Sequence, residues 1–208
     1  MSFETVSVKQ MRDYDKYTIE NFCPSKTLML RAAKGIYDNV DWKGKRTAVI
    51  CGSGNNGGDG YALAGIIKDA GEDVTIIRTG DKFSEDGRYY YDIAIQKGVV
   101  DIMLSFDTDL SEYDILVDCL LGTGFTGEVR ENILCAIEKI NSSSSYVVSA
   151  DINSGMNGDT GEGSIIVRSD ITVSIGFVKN GMVSDNAKRY INKLVNVDIG
   201  ICGAQHRN

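Results

Sequence analysis

The stretch that decides the fold reads Thr47-Ala-Val-Ile-Cys51, followed at once by Gly52-Ser-Gly-Asn-Asn-Gly-Gly-Asp-Gly60. Its first five residues are apolar or β-branched and predict a buried strand, while residues 60–70 carry apolar side chains at the spacing of an amphipathic helix. The glycines between them satisfy the pattern G-x-G-x-x-G, which joins a strand to the start of a helix. Backbone amides at such a turn form an anion site without any basic side chain, although a glycine-rich turn with Asx caps and no ligand has the same pattern.

Strands and helices alternate along the rest of the chain. The predicted helices span residues 9–22, 27–40, 60–70, 84–97 and 131–140, and the predicted strands span residues 47–51, 73–78, 99–104, 115–121, 146–150, 170–175 and 194–197. Strands that are apolar on both faces and alternate with amphipathic helices indicate a parallel sheet covered on both sides. We therefore predict an α/β, Rossmann-like fold. We expect residues 1–208 to form one domain, because no linker, repeat or low-complexity segment divides them.

The composition excludes several classes of protein. Of the 208 residues, 42% are hydrophobic and 25% are charged, which is typical of a folded globular chain. The net charge of −7 and the lack of a Lys/Arg run argue against binding to nucleic acid or to an anionic membrane surface. No apolar run approaches the ~20 residues of a membrane span. Residues 1–10 lack the pattern of a secretory signal, so we expect a cytoplasmic protein.

Cysteine and histidine offer little for catalysis or zinc binding. The 5 cysteines are scattered with no C-x-x-C pair, which indicates buried thiols in a reducing compartment. The one histidine, His206, lies close to the carboxyl end, which is a poor position for a general base. Ser-His-Asp, Cys-His and His-ligated zinc chemistry are therefore not expected, and any metal must be a hard cation bound by oxygen atoms.

Two further strand ends carry polar residues. The strand 115–121 contains Asp118 and leads into Gly122-Thr-Gly-Phe-Thr-Gly-Glu128, a second glycine-rich loop with two hydroxyl groups. The strand 146–150 is followed by Asp151 and then by Ser154. Because sheets of this kind bind ligands at the carboxyl ends of their strands, Asp151 occupies a natural position for a reacting side chain. A cap or a turn is the structural alternative for Asp118 and for Asp151.

Three of these residues supply oxygen atoms from adjacent strand ends: Asn56, Asp118 and Ser154. An acid inside an apolar strand must be paired, hydrogen-bonded or metal-bound. The three side chains carry one formal negative charge among them, which favours a monovalent cation over Mg²⁺ or Ca²⁺.

Four segments together resemble the NAD(P)H-hydrate epimerases, a family also called YjeF N-terminal domains. Residues 51–60 resemble its glycine-rich signature, and Val117-Asp-Cys-Leu-Leu-Gly-Thr-Gly124 and Ala150-Asp-Ile-Asn-Ser-Gly155 resemble its second and third signatures. The opening Gln10-Met-Arg-Asp-Tyr-Asp15, with Leu28-Met29 after it, resembles the first two helices of the family. The similarity spans nearly the whole chain, and the motifs occur in the family's order.

The resemblance implies a three-layer α/β/α fold, usually a homodimer, and an isomerase that interconverts the R and S forms of 6-hydroxylated NADH and NADPH (NADHX and NADPHX). It implies a separate ATP- or ADP-dependent dehydratase specific for the S form, since 208 residues leave no room for a fused one. It places the hydrated nucleotide against Asn55, Asn56, Gly57, Gly58 and Asp59, and against Gly122, Thr123, Gly124, Phe125, Thr126, Gly127 and Glu128. It assigns one K⁺ ion per subunit to Asn56, Asp118 and Ser154.

The same resemblance puts Asp151 against the altered ring or its ribose, with Lys179 nearby. Epimerisation needs proton transfer at the hydroxyl oxygen, either as hydroxide leaves and water returns on the other face, or as the ring opens and closes. A carboxylic acid whose pKa is raised by burial suits both routes. We assign the transfer to Asp151 as a hypothesis, with Asp59 as the alternative.

The chain departs from the family pattern at two places. Asn153 stands where the family usually has proline, and Leu30-Arg-Ala-Ala33 stand where it usually has an acid and a glycine, in a region where members often pair. In addition, Arg78 ends the strand 73–78, where a dinucleotide-binding motif would want an acid. Arg78 is therefore a candidate for contact with a 2′-phosphate.

Two other functions stay open at this point. A non-catalytic scaffold domain of the same fold would carry extra domains or long linkers. An ordinary NAD(P)-dependent oxidoreductase would need a proton relay, such as Tyr-x-x-x-Lys, beside Gly52, Gly54 and Gly57. Residues 1–208 show neither feature, so we expect the epimerase.

Overall fold

Strands and helices alternate in the computed structural model, which describes residues 3–125, 127–129 and 131–203. The helices are α1 (Val8–Asn21), α2 (Ser25–Tyr37), α3 (Asn55–Asp69), α4 (Glu85–Gln96) and α5 (Glu131–Ser142). The strands are β1 (Thr5–Val6), β2 (Arg46–Cys51), β3 (Asp73–Arg78), β4 (Val100–Met103), β5 (Ile115–Cys119), β6 (Tyr146–Ala150), β7 (Ser169–Ile175), β8 (Val178–Lys179) and β9 (Ile191–Val197).

The main sheet has the order β4-β3-β2-β5-β6-β7-β9, and its neighbouring strands pair in parallel throughout. This confirms the predicted α/β class with a parallel sheet. The chain runs from β2 to one edge of the sheet and then returns to β5 on the other side of β2. The switch point of the sheet therefore lies between the carboxyl ends of β2 and β5, where such folds bind their ligands.

Side chains of the central strand β2 alternate between two cores. Val49 and Cys51 belong to a cluster with buried residues of α1 to α4, whereas Ala48 and Ile50 belong to a second cluster with the buried face of α5. Because successive side chains of a strand point to opposite faces, each layer of helices covers its own set of strand residues. The result is the three-layer α/β/α architecture. A third, smaller cluster, which includes Ile152, lies under the segment that follows β6.

The structure differs from the sequence-based boundaries where side-chain periodicity carries little information. Helix α3 begins at Asn55 rather than at residue 60, so the asparagines and glycines of this segment form its first turns and not a loop. Strand β5 ends at Cys119, two residues early. The short strands β1 and β8 were not predicted, because a two-residue strand has no repeat to detect. They pair in parallel, with Val6 opposite Lys179.

Candidate active site

The carboxyl ends of β2, β5 and β6 border one cleft of about 1030 Å³, which α1 and α2 help to line. Among the predicted site residues, those that line the cleft are Asn55, Asn56, Asp59, Gly122, Thr123, Gly124, Phe125, Glu128 and Asp151. Gly57 and Gly58 lie inside α3, Asp118 and Ser154 are fully buried, and Gly127 borders a neighbouring cavity. Thr126 lies outside the described residues. The structure therefore brings the three predicted strand ends together at one place.

The amino end of α3 forms one wall of the cleft. Gly54 is its N-cap residue and makes no side-chain capping hydrogen bond, and the first turn contains no acidic residue. The first amides of a helix have no partner within the helix, and the helix dipole adds partial positive charge at the same end. This end of α3 is therefore suited to an anionic group.

Two glycines of the signature are needed by the protein's own backbone. A β-carbon on Gly52 would lie 1.9 Å from the carbonyl oxygen of Leu120, and one on Gly57 would lie 2.0 Å from the carbonyl oxygen of Gly52. Gly54, in contrast, has nothing within 4 Å of that position. Gly52 is thus required by close contact with the segment after β5, and Gly57 by close contact with Gly52. Gly54 makes no such contact and leaves the wall of the cleft open.

Asp118 is a fully buried acid whose two carboxylate oxygens are both hydrogen-bonded. One oxygen accepts from the hydroxyl of Ser154 at 2.5 Å and from the amide of Leu120 at 3.2 Å. The other accepts from the amide of Ser154 at 2.9 Å and from the hydroxyl of Ser149 at 3.0 Å. Burial raises the pKa of Asp118, and these hydrogen bonds oppose the rise. Asp118 therefore ties the loop after β6 to the end of β5.

The three predicted cation ligands are linked through Leu121. Its amide donates to the Ser154 hydroxyl at 2.9 Å, and its carbonyl oxygen accepts from Nδ2 of Asn56 at 2.9 Å. The Oδ1 atom of Asn56 is buried and has no hydrogen-bond partner in the described part of the chain. A buried polar oxygen without a partner is costly, so a ligand at this point would stabilise it.

Asp151 follows β6 in a left-handed conformation, with a φ of 66°, and its amide donates to the carbonyl oxygen of Val173 at 2.8 Å. This turn directs the carboxylate to Lys179, with which it forms an ion pair. Lys179 is completely buried and also donates to the carbonyl oxygen of Ile175 at 3.1 Å. An adjacent ammonium group favours the ionised form of a carboxylate.

Two further carboxyl groups share this electrostatic environment. The pKa of Asp59 is raised well above its ordinary value, first by burial and then by the charges of Asp151 and Asp15, with Lys179 opposing the rise. Burial, followed by the charge of Asp151, raises the pKa of Asp15 from 3.8 to about 6, and Lys179 again opposes it. Asp15 lines the cleft from α1. The sequence reasoning did not select it, although it lies in the quoted segment 10–15 and faces the same way as Met11 at helical spacing.

The loop after β5 is attached to α1 at the mouth of the cleft. The guanidinium of Arg12 donates to the carbonyl oxygen of Thr123 at 3.2 Å, and the amide of Phe125 donates to the carbonyl oxygen of Gly122 at 3.1 Å in a tight turn. Helix α5 begins at Glu131, as predicted, whereas β5 ends at Cys119, so the loop is two residues longer than predicted at its amino end.

Arg78 does not line the cleft, contrary to the hypothesis that it meets a 2′-phosphate. Its guanidinium forms two hydrogen bonds with the carboxylate of Asp101, at 2.8 and 2.9 Å, and a third with Asp81 at 3.2 Å. These interactions raise the pKa of Arg78. The nearby cation that does line the cleft is Lys82.

Three further observations concern metal-ligand groups, helix length and the cysteines. In the described residues, no group of three or more His, Cys, Asp and Glu side chains is arranged to hold a metal ion. None of the described helices is long and apolar enough to cross a membrane. All five cysteines are free, and burial raises the pKa of the Cys51 and Cys119 thiols. His206 lies outside the described residues.

Known proteins resemble the chain over most of its length. A family model described as "YjeF-related protein N-terminus" matches residues 25–181. The NAD(P)H-hydrate epimerase of Lentilactobacillus buchneri is 33% identical over 206 residues, and the match covers 95% of each chain. The bifunctional NAD(P)H-hydrate repair enzyme Nnr of Pyrobaculum aerophilum is 35% identical over 190 residues, which are 86% of this chain and 38% of that enzyme.

A solved structure supports the fold. The crystal structure of yeast ynu0 (YNL200c) matches with a TM-score of 0.79 at 20% identity, covering 93% of this chain and 87% of that chain. The family match and the relatives together confirm the resemblance seen in the four sequence motifs. The chain belongs to the family of YjeF-related protein N-terminal domains.

Proposed function

We propose that the chain is an NAD(P)H-hydrate epimerase, an isomerase that interconverts the R and S forms of NADHX and NADPHX. One observation carries the proposal: a single cleft joins the uncapped helix end of α3 to the carboxyl groups of Asp15, Asp59 and Asp151. The first arrangement suits a pyrophosphate, and the second suits proton transfer. Relatives that match along their whole length and carry this name support it.

The hydrated nucleotide would lie along the predicted substrate-binding residues. Its pyrophosphate would lie against the first amides of α3 and the loop 122–128, which need no basic side chain to hold an anion. The altered nicotinamide ring would then lie against Asp151. An acidic chain binds an acidic ligand in this way because the attraction comes from backbone dipoles and not from net charge.

The proton transfer would use Asp151 and a neighbouring acid. The carboxylate of Asp151, which pairs with Lys179, would accept a proton from the hydroxyl group or from an incoming water molecule. Burial raises the pKa of Asp59, which favours the protonated form of this group. Two carboxyl groups with such different environments provide a base and an acid within one cleft, as the reaction requires.

A potassium ion would be bound by Asn56, Asp118 and Ser154. The unpartnered, buried Oδ1 atom of Asn56 fits a cation, and Leu121 links Asn56 to Ser154, whose hydroxyl donates to Asp118. When bound, the ion would supply positive charge that offsets Asp118 and the pyrophosphate. Potassium should then raise the unfolding temperature more than sodium at equal ionic strength, and Asn56→Leu should remove the difference.

We further propose a separate S-specific dehydratase as the functional partner and a homodimer as the oligomeric state. The bifunctional repair enzymes of Pyrobaculum aerophilum and Coxiella burnetii, which this chain covers only in part, support the pairing of the two activities. Exposed apolar side chains at the end of α1 and on α2, Phe22 and Leu30, support a self-association surface. Sedimentation of the protein at several concentrations tests the dimer.

The decisive experiment is a coupled assay on a mixture of R and S hydrates. An S-specific dehydratase with ATP or ADP first exhausts its isomer, and the protein is then added while the absorbance of regenerated NADH is followed. We expect a second rise faster than spontaneous epimerisation and stronger with potassium. Asp151→Asn should abolish this rise while nucleotide binding persists, and Asp38→Asn, which removes an exposed carboxylate on α2, should not.

The outcomes separate the alternatives. No acceleration by folded protein would overturn the proposal and favour a non-catalytic nucleotide-binding domain. Tight binding of intact NAD(P)⁺ with hydride transfer would favour an oxidoreductase. Full activity of Asp151→Asn would overturn the role of this residue and leave the epimerase itself standing.

A further inference from the structure

The proposed function gives no separate role to Asp15, one of the acids that line the cleft. Asp15 lies on α1, the helix that lines the cleft with Met11, Arg12 and Ile19 as well. These positions recur at the three- and four-residue spacing of one helix face. Asp15 is half-buried on this face, one turn beyond Arg12.

Contacts with distant parts of the chain hold α1 in this position. Just before the helix, Val6 pairs with Lys179 in the short ladder of β1 and β8. Near its carboxyl end, the hydroxyl of Thr18 accepts from the amide of Cys202 at 2.9 Å. Because the same ladder carries the lysine that binds Asp151, the positions of Asp15 and of the Asp151–Lys179 pair are coupled through a few residues.

The charges around Asp15 favour a carboxyl group that gains and loses a proton. Asp59 faces it from α3 and Asp151 from the end of β6, while Lys179 on β8 and Arg12 on α1 provide the nearby positive charge. Lys179 is already paired with Asp151, so the remaining carboxylates repel each other. Burial, together with this repulsion, raises the pKa of both Asp15 and Asp59.

We propose that Asp15 is a further catalytic residue, which delivers a proton to the ring hydroxyl from the α1 wall of the cleft. This inference rests on the proposed epimerase function. As the C–O bond breaks, its electron pair leaves with the oxygen atom, which takes the proton of Asp15 and departs as water. The lone pair of the ring nitrogen forms the C=N⁺ bond at the same time. Water then adds from the opposite face and gives its proton to the Asp151 carboxylate, and the electron pair returns to nitrogen.

Asp15 suits this exchange better than Asp59 does. A proton donor must be reloaded after each turnover, and it works best when its pKa is close to the working pH. Asp15, with a pKa of about 6, meets this condition. Asp59, whose pKa is also raised by burial, lies on α3, whose first turn is assigned to the pyrophosphate. The reaction transfers one proton in net terms from Asp15 to Asp151, which leaves the two groups ready for the reverse reaction. Proton exchange with solvent restores their starting protonation states.

The test compares Asp15→Asn with Asp13→Asn, which removes a neighbouring carboxylate that pairs with Lys9 on the exposed side of α1. Asp15→Asn should lower kcat by ~100-fold or more, because positioned proton transfer contributes about that much, and should change KM little. The wild-type rate should fall above a pH of about 6, where Asp15 loses its proton. The residual activity of Asp15→Asn should show no such fall. Asp13→Asn should keep the wild-type rate and pH profile.

Each outcome decides the question. Wild-type protein without epimerase activity overturns the proposed function itself. Active wild-type protein with an Asp15→Asn variant within threefold of it overturns only the role of Asp15. A slow, folded variant whose pH profile matches the wild type also overturns it, because that pattern indicates a structural effect. Carbon NMR titration of the wild-type aspartates provides a readout that needs no turnover, and an Asp15 that titrates at its ordinary value contradicts the inference.

Discussion

Replacing Asp15 by asparagine should stabilise the folded protein at neutral pH, in contrast to most substitutions in a cleft. Burial and the charge of Asp151 raise the pKa of Asp15 from 3.8 to about 6. The pKa of Asp15 is higher in the folded state than in the unfolded state. The contribution of Asp15 to folding stability is therefore fully present below a pH of 3.8 and is lost as the pH rises through about 6. Asparagine carries no charge at any of these pH values, so the variant escapes the loss.

The size of the effect follows from the shift. A rise of about two units corresponds to about 3 kcal/mol, since one unit is ~1.4 kcal/mol. Integrated over pH, the expected gain of Asp15→Asn is under about 1 kcal/mol at pH 4, about 2 kcal/mol at pH 5 and about 3 kcal/mol at pH 8. For a chain of this length the last value raises Tm by roughly 6–12 °C.

Urea unfolding at pH 5 and pH 8, followed by circular dichroism, measures both gains. Asp13→Asn is the matched control, because its carboxylate is half-exposed in a pair with Lys9 and such pairs contribute at most about 1 kcal/mol. An Asp15→Asn variant that is no more stable than the wild type at pH 8, or whose gain is equal at both pH values, would refute the electrostatic reasoning. It would also remove the physical support for a proton on this residue.

Two more predictions follow from the packing of the glycine signature and from the position of Arg78. Gly57→Ala should destabilise the fold strongly, because its β-carbon would lie 2.0 Å from the carbonyl oxygen of Gly52. Gly54→Ala should change the unfolding temperature little, since nothing lies within 4 Å of the added β-carbon. Arg78→Ala should reduce stability through loss of its pair with Asp101 but leave the ratio of kcat/KM for NADHX and NADPHX unchanged. A change in that ratio would return Arg78 to the substrate site.

The strand-and-helix pattern is predictable because the hydrophobic periodicity of each element is local. The central strands are apolar on both faces, and the burial of β5 along its whole length shows why. The start of α3 was misplaced, because the run of asparagine and glycine after Gly54 favours a loop by propensity. In the structure this run forms the first turns of the helix and packs closely against Gly52.

Within the site, the strand-end residues were predictable and the contribution of α1 was not. Asp118, Asp151 and Ser154 follow or occupy strands whose ends must meet, so sheet topology alone brings them together. Asp15 reaches the cleft because Val6 pairs with Lys179, and a two-residue ladder between residues so far apart in sequence leaves no pattern. Its pKa, likewise, depends on burial and on two residues far away in sequence, Asp151 after β6 and Lys179 on β8.

The cleft brings together two kinds of negative charge, a pyrophosphate under the proposed function and the carboxyl groups of Asp15, Asp59 and Asp151. Among the described residues, the positive partners are the amides at the start of α3, the cations Arg12 and Lys82 that line the cleft, and Lys179, which is already paired with Asp151. A bound anion close to an acid favours the protonated form of that acid. Substrate binding would therefore favour uptake of a proton by these carboxyl groups. The acidic character of the cleft would then support the reaction, because binding of the anionic nucleotide supplies the proton that its hydroxyl group needs.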